Sequence, residues 1–446
     1  MEEVFSSDEL ETVARKTGFC KRKSKVVPSV FFDLLMNDIG SEKPGSLTHI
    51  AIEALSEHDI VISKQGIDKK FSDETLAFLK CLIEKQLSVK LDHQIEAGWL
   101  SSFNRVIIKD GTRFDLREEY KDHLSGSGGS ASKAGACIQF EYDLKSGQIN
   151  YLDITASSRP DVKDAVEVLD TVADNDLVIR DLGYYAFDSF VNISDKGAFY
   201  ISRLRPKANI YEMNNGILQR LDFKKLYAEM EKKKLCQMDK LVFIGSAEKI
   251  PVRLSIEIMP ETVYEQRIRK TVKIQQKKGY QTSEEYRFMS RFNLFITNVP
   301  EELLPIDIIS TLYRIRWQIE LVFKIFKSII GIHHTSKMKY RRWLCLLYVK
   351  LLIMVINWNI IMTQRNYTYK WKSKLLSLNK CFKTLIDNNN RLRAAIKQGV
   401  RGIRSYMLWV DKMLNENHWL EKKNKTKGLE DLIYIMFCKS NKYVYI

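Results

Sequence analysis

The stretch Val106-Ile107-Ile108-Lys109-Asp110-Gly111 begins the part of the chain that decides the fold. Three consecutive β-branched apolar residues predict a buried strand, and the Asp-Gly pair after them predicts a turn. Residues 138–144 and 149–154 alternate apolar and polar side chains on either side of Ser146-Gly147, which predicts a hairpin. We therefore expect three antiparallel strands at the start of this region.

A second buried strand leads to an acidic residue in the same way. Leu177-Val178-Ile179 precedes Arg180-Asp181, after a helix predicted over residues 161–172. Residues 199–204 predict a further strand. The order of three antiparallel strands, helix, strand, helix and strand predicts an α/β core with a mixed sheet.

Asp110 and Asp181 lie where such cores place functional residues. The structural alternative is that each belongs to a turn or caps a helix, which is the usual role of an aspartate after a strand. Asp115, Asp153 and Asp188 are rivals for the two positions. The choice between a functional and a structural role for these aspartates depends on other motifs in the chain.

The chain divides by pattern into five segments. Residues 1–95 are predicted to be helical, with helix starts at Ser46 and Ser72, and form either a helix-turn-helix DNA-binding region or a cap on the next domain. The α/β core is expected in two parts, the first over residues 96–204 and its end, with the helix that contains Glu320, over residues 296–335. Residues 205–295 are predicted to be a β-rich insertion, and residues 336–446 a basic helical region.

The charge of the chain indicates a polyanionic partner. Its 446 residues carry a formal net charge of +16 at pH 7. From residue 336 onward there are 23 Lys and Arg against 6 Asp and Glu, a net +17, so the excess lies in the last quarter. Because clustered Lys and Arg attract phosphates, we expect nucleic acid as the partner, the alternative being a merely soluble basic protein.

Several other classes of protein are not supported. The seven cysteines are scattered without a CxxC pair, so neither a zinc site nor a disulfide framework is predicted. The N-terminus lacks the pattern of a signal peptide, so we expect a cytoplasmic protein. Residues 343–362 are apolar enough for a membrane span, but Lys350 favours a buried helix, because a central Lys costs about 2.5 kcal/mol or more in a bilayer.

The segment Tyr313-Arg314-Ile315-Arg316-Trp317-Gln318-Ile319-Glu320 is predicted to begin a single amphipathic helix that continues past Lys327. At about 100° per residue, Tyr313, Arg316, Glu320 and Lys327 fall within roughly 60° of one another, and this polar stripe is expected to face outward. The opposite side carries apolar residues, namely Ile315, Ile319, Val322, Phe326 and Ile330. The alternative is a plain surface helix, in which Arg316 and Glu320 form a pair worth about 0.3 kcal/mol.

The spacing of the stripe resembles the YREK signature of DDE transposases of the insertion-sequence-four type. That signature is Tyr, two residues, Arg, three residues, Glu, six residues and Lys, and all four letters match. Asp110 and Asp181, each after a core strand, resemble the two aspartates of the family. The resemblance covers about residues 100–340, and residues 17–23 resemble such enzymes more loosely.

The resemblance implies a ribonuclease H-like catalytic core that carries out cut-and-paste transposition of DNA. Asp110, Asp181 and Glu320 would be catalytic and would bind two Mg²⁺ ions, for which Mn²⁺ can substitute. The predicted DNA-binding residues are the rest of the signature and three cations of the insertion, namely Tyr313, Arg316, Lys327, Arg267, Arg269 and Lys273.

The resemblance also implies partners. They are double-stranded DNA, as terminal inverted repeats and as target, and a second copy of the chain in a homodimeric synaptic complex. The protein would be associated with the nucleoid when bound to DNA, and not with a membrane. The alternatives are a catalytically inactive or non-joining DNA-binding protein derived from a transposase, and a membrane-associated basic protein built around residues 343–362.

One feature departs from some members of the family, which place a Trp in the insertion to stack on a flipped base. This chain has no Trp between Trp99 and Trp317. Stacking on a base needs only a flat aromatic face, so another ring could serve. The candidates are Tyr264, Tyr280, Tyr286 and Phe288.

Overall fold

The computed structural model describes residues 5–420, apart from residues 23, 41–43, 92–97, 130, 207, 247, 280, 282 and 373. The N-terminal region is helical, as the apolar periodicity predicts. Its helices are α1 (Ser7–Lys16), α2 (Pro28–Asp38), α3 (Leu47–His58), α4 (Lys64–Asp68) and α5 (Asp73–Leu87). The two predicted helix starts are confirmed, because the hydroxyl of Ser46 accepts the amide of His49 and that of Ser72 accepts the amide of Thr75.

Within the described residues, ten strands form one mixed sheet in the order β3-β2-β1-β4-β5-β10-β9-β8-β6-β7. The first five strands are β1 (Val106–Asp115), β2 (Gly135–Asp143), β3 (Ile149–Ala156), β4 (Leu177–Arg180) and β5 (Phe199–Arg203). β1, β2 and β3 are antiparallel, whereas β1, β4 and β5 are parallel. Helices α6 (Asp161–Glu167) and α7 (Phe187–Asp195) connect them. The α/β core with a mixed sheet is therefore confirmed.

The sheet has an apolar core on each face. Successive residues of a strand point to opposite faces, and Ile107 and Ile108 accordingly belong to different cores. Ile107 packs with α7 and with the apolar residues of the segment after β5. Ile108 packs with the helices that follow β10 and with the N-terminal helices. Strands buried on both faces explain the continuous apolar runs in the sequence.

The segment over residues 205–295 continues the same sheet. Its elements are β6 (Ile210–Asn214), β7 (Ile217–Arg220), α8 (Phe223–Lys232), β8 (Gln237–Ile244), β9 (Ile250–Ile258), α9 (Glu261–Lys278) and α10 (Glu284–Met289), followed by β10 (Phe292–Thr297). β10 lies between β5 and β9, so it joins the segment to the core strands. The expectation of a β-rich insertion is incomplete, because the described part contains three helices and the basic stretch lies on α9.

The end of β1 differs from the prediction. The strand does not turn after Asp110 but continues to Asp115, so Asp110 lies in the middle of it and pairs with Phe140 of β2. The Asp-Gly pair is therefore part of a long antiparallel ladder. Cross-strand pairing with β2 overrides the local turn preference of these two residues.

The remaining helices cover one face of the sheet. They are α11 (Ile306–Ile315), α12 (Gln318–Ser328), α13 (Tyr340–Lys372), α14 (Leu378–Asp387), α15 (Asn389–Lys397) and α16 (Gly399–Asn417). The N-terminal helices share their apolar core, and the amide of Asn359 on α13 donates to the carbonyl of Gln86 on α5. This packing supports the reading of residues 1–95 as a cap. The boundaries of the five segments stay a prediction, since sheet and core run across them.

Helix α13 is long and apolar enough to cross a membrane by length and composition, with a mean hydropathy of 2.0 in its most apolar window. Of that window, 89% is buried inside the protein. Lys350 is buried too, and its ammonium group donates to the carbonyl of Gly331 at 2.7 Å. The helix therefore has the burial of a core helix, as the position of Lys350 predicts.

We predict that Gly147→Ala destabilises the fold more than Gly128→Ala. Both glycines have a positive φ, +82° and +85°, which costs an alanine about 1 kcal/mol. A Cβ on Gly147 would also lie 2.6 Å from the side chain of Met362 on α13, whereas a Cβ on Gly128 has no neighbour within 4 Å. Overpacking of this kind costs about 1–3 kcal/mol more. Urea unfolding measures the difference, and equal midpoints for the two variants would contradict the described packing of this turn on α13.

Candidate active site

The guanidinium group of Arg316 lies among three carboxylates that are far apart in the sequence. Its Nη1 donates to Oδ2 of Asp110 at 2.8 Å. Its Nη2 lies 3.5 Å from Oδ1 of Asp181 and 3.4 Å from Oε1 of Glu320. The structure thus brings together all three residues that the sequence singles out as catalytic.

The two aspartates come together because β1 and β4 are parallel neighbours. Their register pairs Lys109 with Arg180, so the residues that follow, Asp110 and Asp181, lie side by side on the same face of the sheet. Asp181 is not a helix cap, because its side chain makes no capping hydrogen bond to the short helical turn after it. Glu320 reaches the same point from the first turn of α12.

The predicted single helix over the signature is wrong. Helix α11 ends at Ile315 and α12 begins at Gln318, and the amides of Arg316 and Trp317 donate to carbonyls three residues earlier. The interruption changes the direction of the side chains, so the stripe is not a solvent-facing row. Tyr313 and Arg316 are buried, whereas Trp317 is 50% exposed. The prediction failed because the 100° periodicity assumes an unbroken helix.

Burial and nearby charges act against each other in this cluster. Burial raises the pKa of Asp110 to about 6, although the charge of Arg316 opposes the shift. Burial alone would lower the pKa of Arg316, but the carboxylates around it, that of Asp181 first, outweigh burial and raise this pKa. Burial also raises the pKa of the Tyr313 phenol to about 12. Arg316 therefore stays charged, and the three carboxylates share one fixed cation.

The opposite face of the sheet carries a second charged cluster directly behind the aspartates. The ammonium group of Lys109 lies 2.6 Å from Asp164 of α6, and both side chains are fully buried. Arg180 lies 3.4 Å from Glu141 of β2. Lys109, Glu141 and Arg180 are neighbours in the sheet register, so these ion pairs tie β1, β2, β4 and α6 together. No local pattern in the sequence indicated this cluster.

A third polar group lies next to Asp110 and was also missed. Asp161 accepts hydrogen bonds from Arg113 at 2.6 Å and from Gln139 at 3.2 Å, and the hydroxyl of Tyr184 donates to Gln139. The sequence pattern that could have indicated this group is the alternation of apolar and polar residues in β2. The polar residues of such a strand are usually predicted to face solvent. All nine residues of β2 are buried instead. Polar side chains in a strand that α6 covers must have buried partners.

The rival aspartates lie away from this cluster. Asp153 accepts the hydroxyl of Tyr151, Asp115 is the last residue of β1, and Asp188 is in the first turn of α7. No ion pair between any of them and Arg316 occurs among the described residues. The carboxylates at the centre are those of Asp110, Asp181 and Glu320.

The other predicted DNA-binding residues differ in their surroundings. The ammonium group of Lys327, on α12, donates to the carbonyl of Arg113 at 3.0 Å and is half-buried. Arg269 and Lys273 are exposed on α9, and Arg269 pairs with Glu265. Arg267 instead donates to the carbonyl of Phe292 at 2.9 Å and so holds α9 against β10.

A basic cavity of about 310 Å³ lies beside Asp181. Its wall includes Leu182, which follows Asp181 in the chain, and the cations Arg203, Arg267 and Lys270. Tyr286 also lines it, whereas Tyr264 faces the guanidinium group of Arg291, 4.1 Å from its ring centre, and Phe288 packs on Tyr227. Tyr280 lies outside the described residues. Of the rings proposed for base stacking, Tyr286 is therefore the one placed at this cavity.

The donor set at the centre fits a hard cation. Carboxylate oxygens are the ligands that Mg²⁺ and Mn²⁺ prefer, and three of them surround one positive group at 2.8–3.5 Å. In the part of the chain that the structure describes, acidic, His or Cys side chains do not form a group of three able to hold a metal ion directly. The guanidinium group of Arg316 lies between these carboxylates.

Comparison with known proteins adds independent evidence. The family model described as "Transposase DDE domain" matches residues 101–357. The chain is 28% identical over 443 residues to the transposase for insertion sequence element IS231B of Bacillus thuringiensis subsp. berliner, covering 96% of this chain and 92% of that protein. It is 27% identical over 424 residues to the transposase for insertion sequence element IS1151 of Clostridium perfringens, covering 90% and 87%.

We predict that Asp164→Leu destabilises the protein by about 3–5 kcal/mol, because the amino group of Lys109 would stay buried without the carboxylate that pairs with it. The double variant Lys109→Met, Asp164→Leu should lose less, since neither charge of the pair is left in the core. Urea unfolding of the two single variants and the double variant measures the coupling. A double variant no more stable than Asp164→Leu would show that the pair does not govern packing behind Asp110.

Proposed function

The chain belongs to the DDE transposase family, and on that premise we propose that Asp110, Asp181 and Glu320 catalyse the cleavage and joining of DNA strands. The protein is an enzyme of DNA transposition. A transposase family model matches more than half of the chain, and the relatives, which the chain matches over nearly their full length, are transposases of insertion sequences. The observation that supports the three residues is their convergence on Arg316. The α/β core is that of a ribonuclease H-like nuclease, with the site at the β1–β4 pair.

The carboxylates suit the binding of divalent metal, two Mg²⁺ ions or Mn²⁺ in their place. When bound, such ions activate the attacking oxygen and stabilise the leaving oxygen of a phosphodiester. Asp110 and Asp181 project from paired strands and Glu320 from a packed helix, so the chain supplies the ligands from rigid elements.

We further propose that cations around the cluster hold DNA phosphates. Arg316 offers a guanidinium fork and Lys327 a point charge on the same segment. Arg269 and Lys273 extend this surface along α9. Tyr313 is buried against Phe295, at 5.2 Å between ring centres, so its contribution is to position Arg316 rather than to reach a phosphate.

The cavity beside Asp181 extends the DNA surface. Three cations and the ring of Tyr286 line a volume of about 310 Å³, which suits a phosphate together with an aromatic base. We propose that it receives a nucleotide close to the cut. Arg267 lines this cavity while it anchors α9, so its guanidinium group serves structure first.

The substrate and assembly follow from the same proposal. The DNA would be the terminal inverted repeats of an insertion sequence and a target duplex, and the synaptic complex would contain two copies of the chain. The protein would act in the cytoplasm, on the nucleoid. A descendant that binds DNA without cutting is not favoured, because none of the three carboxylates is missing.

We predict that Glu320→Gln abolishes metal-dependent nicking at the element's ends while DNA binding survives. The amide keeps the size of the side chain but removes the negative charge that a divalent cation needs. Gel assays of nicking and of binding on the same DNA separate the two effects. Glu302→Gln, at an exposed glutamate before α11, is the matched control and should nick normally. Undiminished nicking by Glu320→Gln would remove this residue from the mechanism.

We predict that Lys327→Ala weakens binding to DNA ends and reduces the dependence of binding on salt. One phosphate contact fewer lowers the slope of log K against log salt by about 0.9. Lys232→Ala, on α8 at the far end of the sheet, removes the same charge and should leave the slope unchanged. Fluorescence anisotropy across a salt series gives both slopes. Identical slopes for Lys327→Ala and the wild-type protein would mean that Lys327 does not contact a phosphate and has only a structural role.

A further inference from the structure

Arg316 lies where a divalent cation would have to bind. We propose that Arg316 is an internal counter-ion that holds the site closed to metal until DNA draws its side chain away, so that DNA binding and metal binding promote each other. The inference rests on the proposed function of Asp110, Asp181 and Glu320. It concerns the order in which that site is filled.

The position of Arg316 supports competition with metal. Arg316 is 6% exposed, and its guanidinium group contacts oxygens of all three carboxylates at 2.8–3.5 Å. Within the described chain, no other Lys or Arg forms an ion pair with these carboxylates. Removing Arg316 would therefore leave three negative charges close together. A divalent cation placed among the same oxygens would repel the guanidinium group at short range.

The local structure lets Arg316 leave. It lies between α11 and α12, at the interruption of the helix, next to the exposed ring of Trp317. A side-chain rotation there does not require either helix to unfold. The guanidinium fork matches two oxygens of a phosphate, so a DNA backbone offers it a replacement for the carboxylates. The half-buried Lys327 and the exposed cations of α9 provide further attraction for that backbone.

The consequence is a coupling between two ligands. A divalent cation that binds without DNA must displace Arg316 from the carboxylates and gives it no other partner. DNA that binds without metal must break the same ion pairs. Once either ligand is bound, Arg316 has already left the carboxylates, so the second ligand binds without this free-energy cost. Such coupling is reciprocal, and typical values change affinity by about 5–150-fold. The device would keep the isolated enzyme from holding catalytic metal in the absence of substrate.

The first experiment uses the full-length wild-type protein. Free Mn²⁺ is measured by electron paramagnetic resonance during titration, with and without a saturating duplex already cut at the element's end, so that no strand remains to be cleaved. We expect the duplex to tighten Mn²⁺ binding about tenfold. Mn²⁺ should tighten binding of the duplex by the same factor, measured by anisotropy. Equal Mn²⁺ affinity with and without DNA would overturn the proposal, and no variant is needed for this test.

The second experiment compares Arg316→Gln with Arg314→Gln. Arg314 is an exposed arginine two residues away and serves as the matched control. Without DNA, Arg316→Gln should bind Mn²⁺ about tenfold more tightly than the wild-type protein, and DNA should add little. Arg314→Gln should behave like the wild type. Binding by a folded Arg316→Gln that equals that of the wild type would overturn the counter-ion role, and weaker binding would mean that Arg316 assists metal binding rather than blocking it.

Glu320→Gln separates this inference from the proposed function. If Glu320→Gln loses Mn²⁺ binding but Arg316→Gln binds like the wild type, the metal site stands and only the counter-ion role fails. If Glu320→Gln binds Mn²⁺ as the wild type does, the assignment of the site fails, and the counter-ion role fails with it. Circular dichroism of each variant shows whether it is folded, and the wild-type titration decides the question if Arg316→Gln is not.

Discussion

The parallel pairing of β1 with β4 is the constraint on which the rest of the structure depends. Its register places Asp110 beside Asp181 on one face and Lys109 beside Arg180 on the other. On the second face, the two cations pair with Asp164 and Glu141 in a buried environment. Removing Asp164 or Glu141 would take away the carboxylate that pairs with a buried cation, which is strongly unfavourable. The charged cluster on one face thereby holds the geometry of the carboxylates on the other.

Helix α13 packs against the sheet and supports it on the face that carries the carboxylates. Trp358, near its middle, packs on Phe140 of β2 at 5.4 Å between ring centres and donates to the carbonyl of Gly147 at 2.6 Å. Phe326 of α12 packs on the same phenylalanine at 5.5 Å. One core therefore supports both the strand that carries Asp110 and the helix that carries Glu320. The apolarity of α13 reflects this position between the sheet and the N-terminal helices.

The cluster around Arg316 balances the mutual repulsion of three carboxylates against their attraction to one guanidinium group. Three carboxylates this close together repel one another, and burial further disfavours the charged form of Asp110 and raises its pKa. A guanidinium group from the interruption between α11 and α12 offsets this repulsion within the chain. The Arg of the sequence signature is thus explained by the carboxylates that surround it in the folded chain.

Local features of the sequence determined the succession of strands and helices along the core, the helix starts at Ser46 and Ser72 and the burial of α13. Periodicity, caps and a lone Lys in an apolar run all act within a few residues. The candidate carboxylates were also identified, but through spacing that resembles a family and not through contacts. Tertiary structure alone decided that Asp110 lies within a strand, that the polar side of β2 is buried and that the helix is interrupted at Arg316. The contact between Asp110 and Arg316 spans 206 positions of the chain. Such contacts depend on the closing of the sheet and the packing of α12 on it, which no local window of sequence contains.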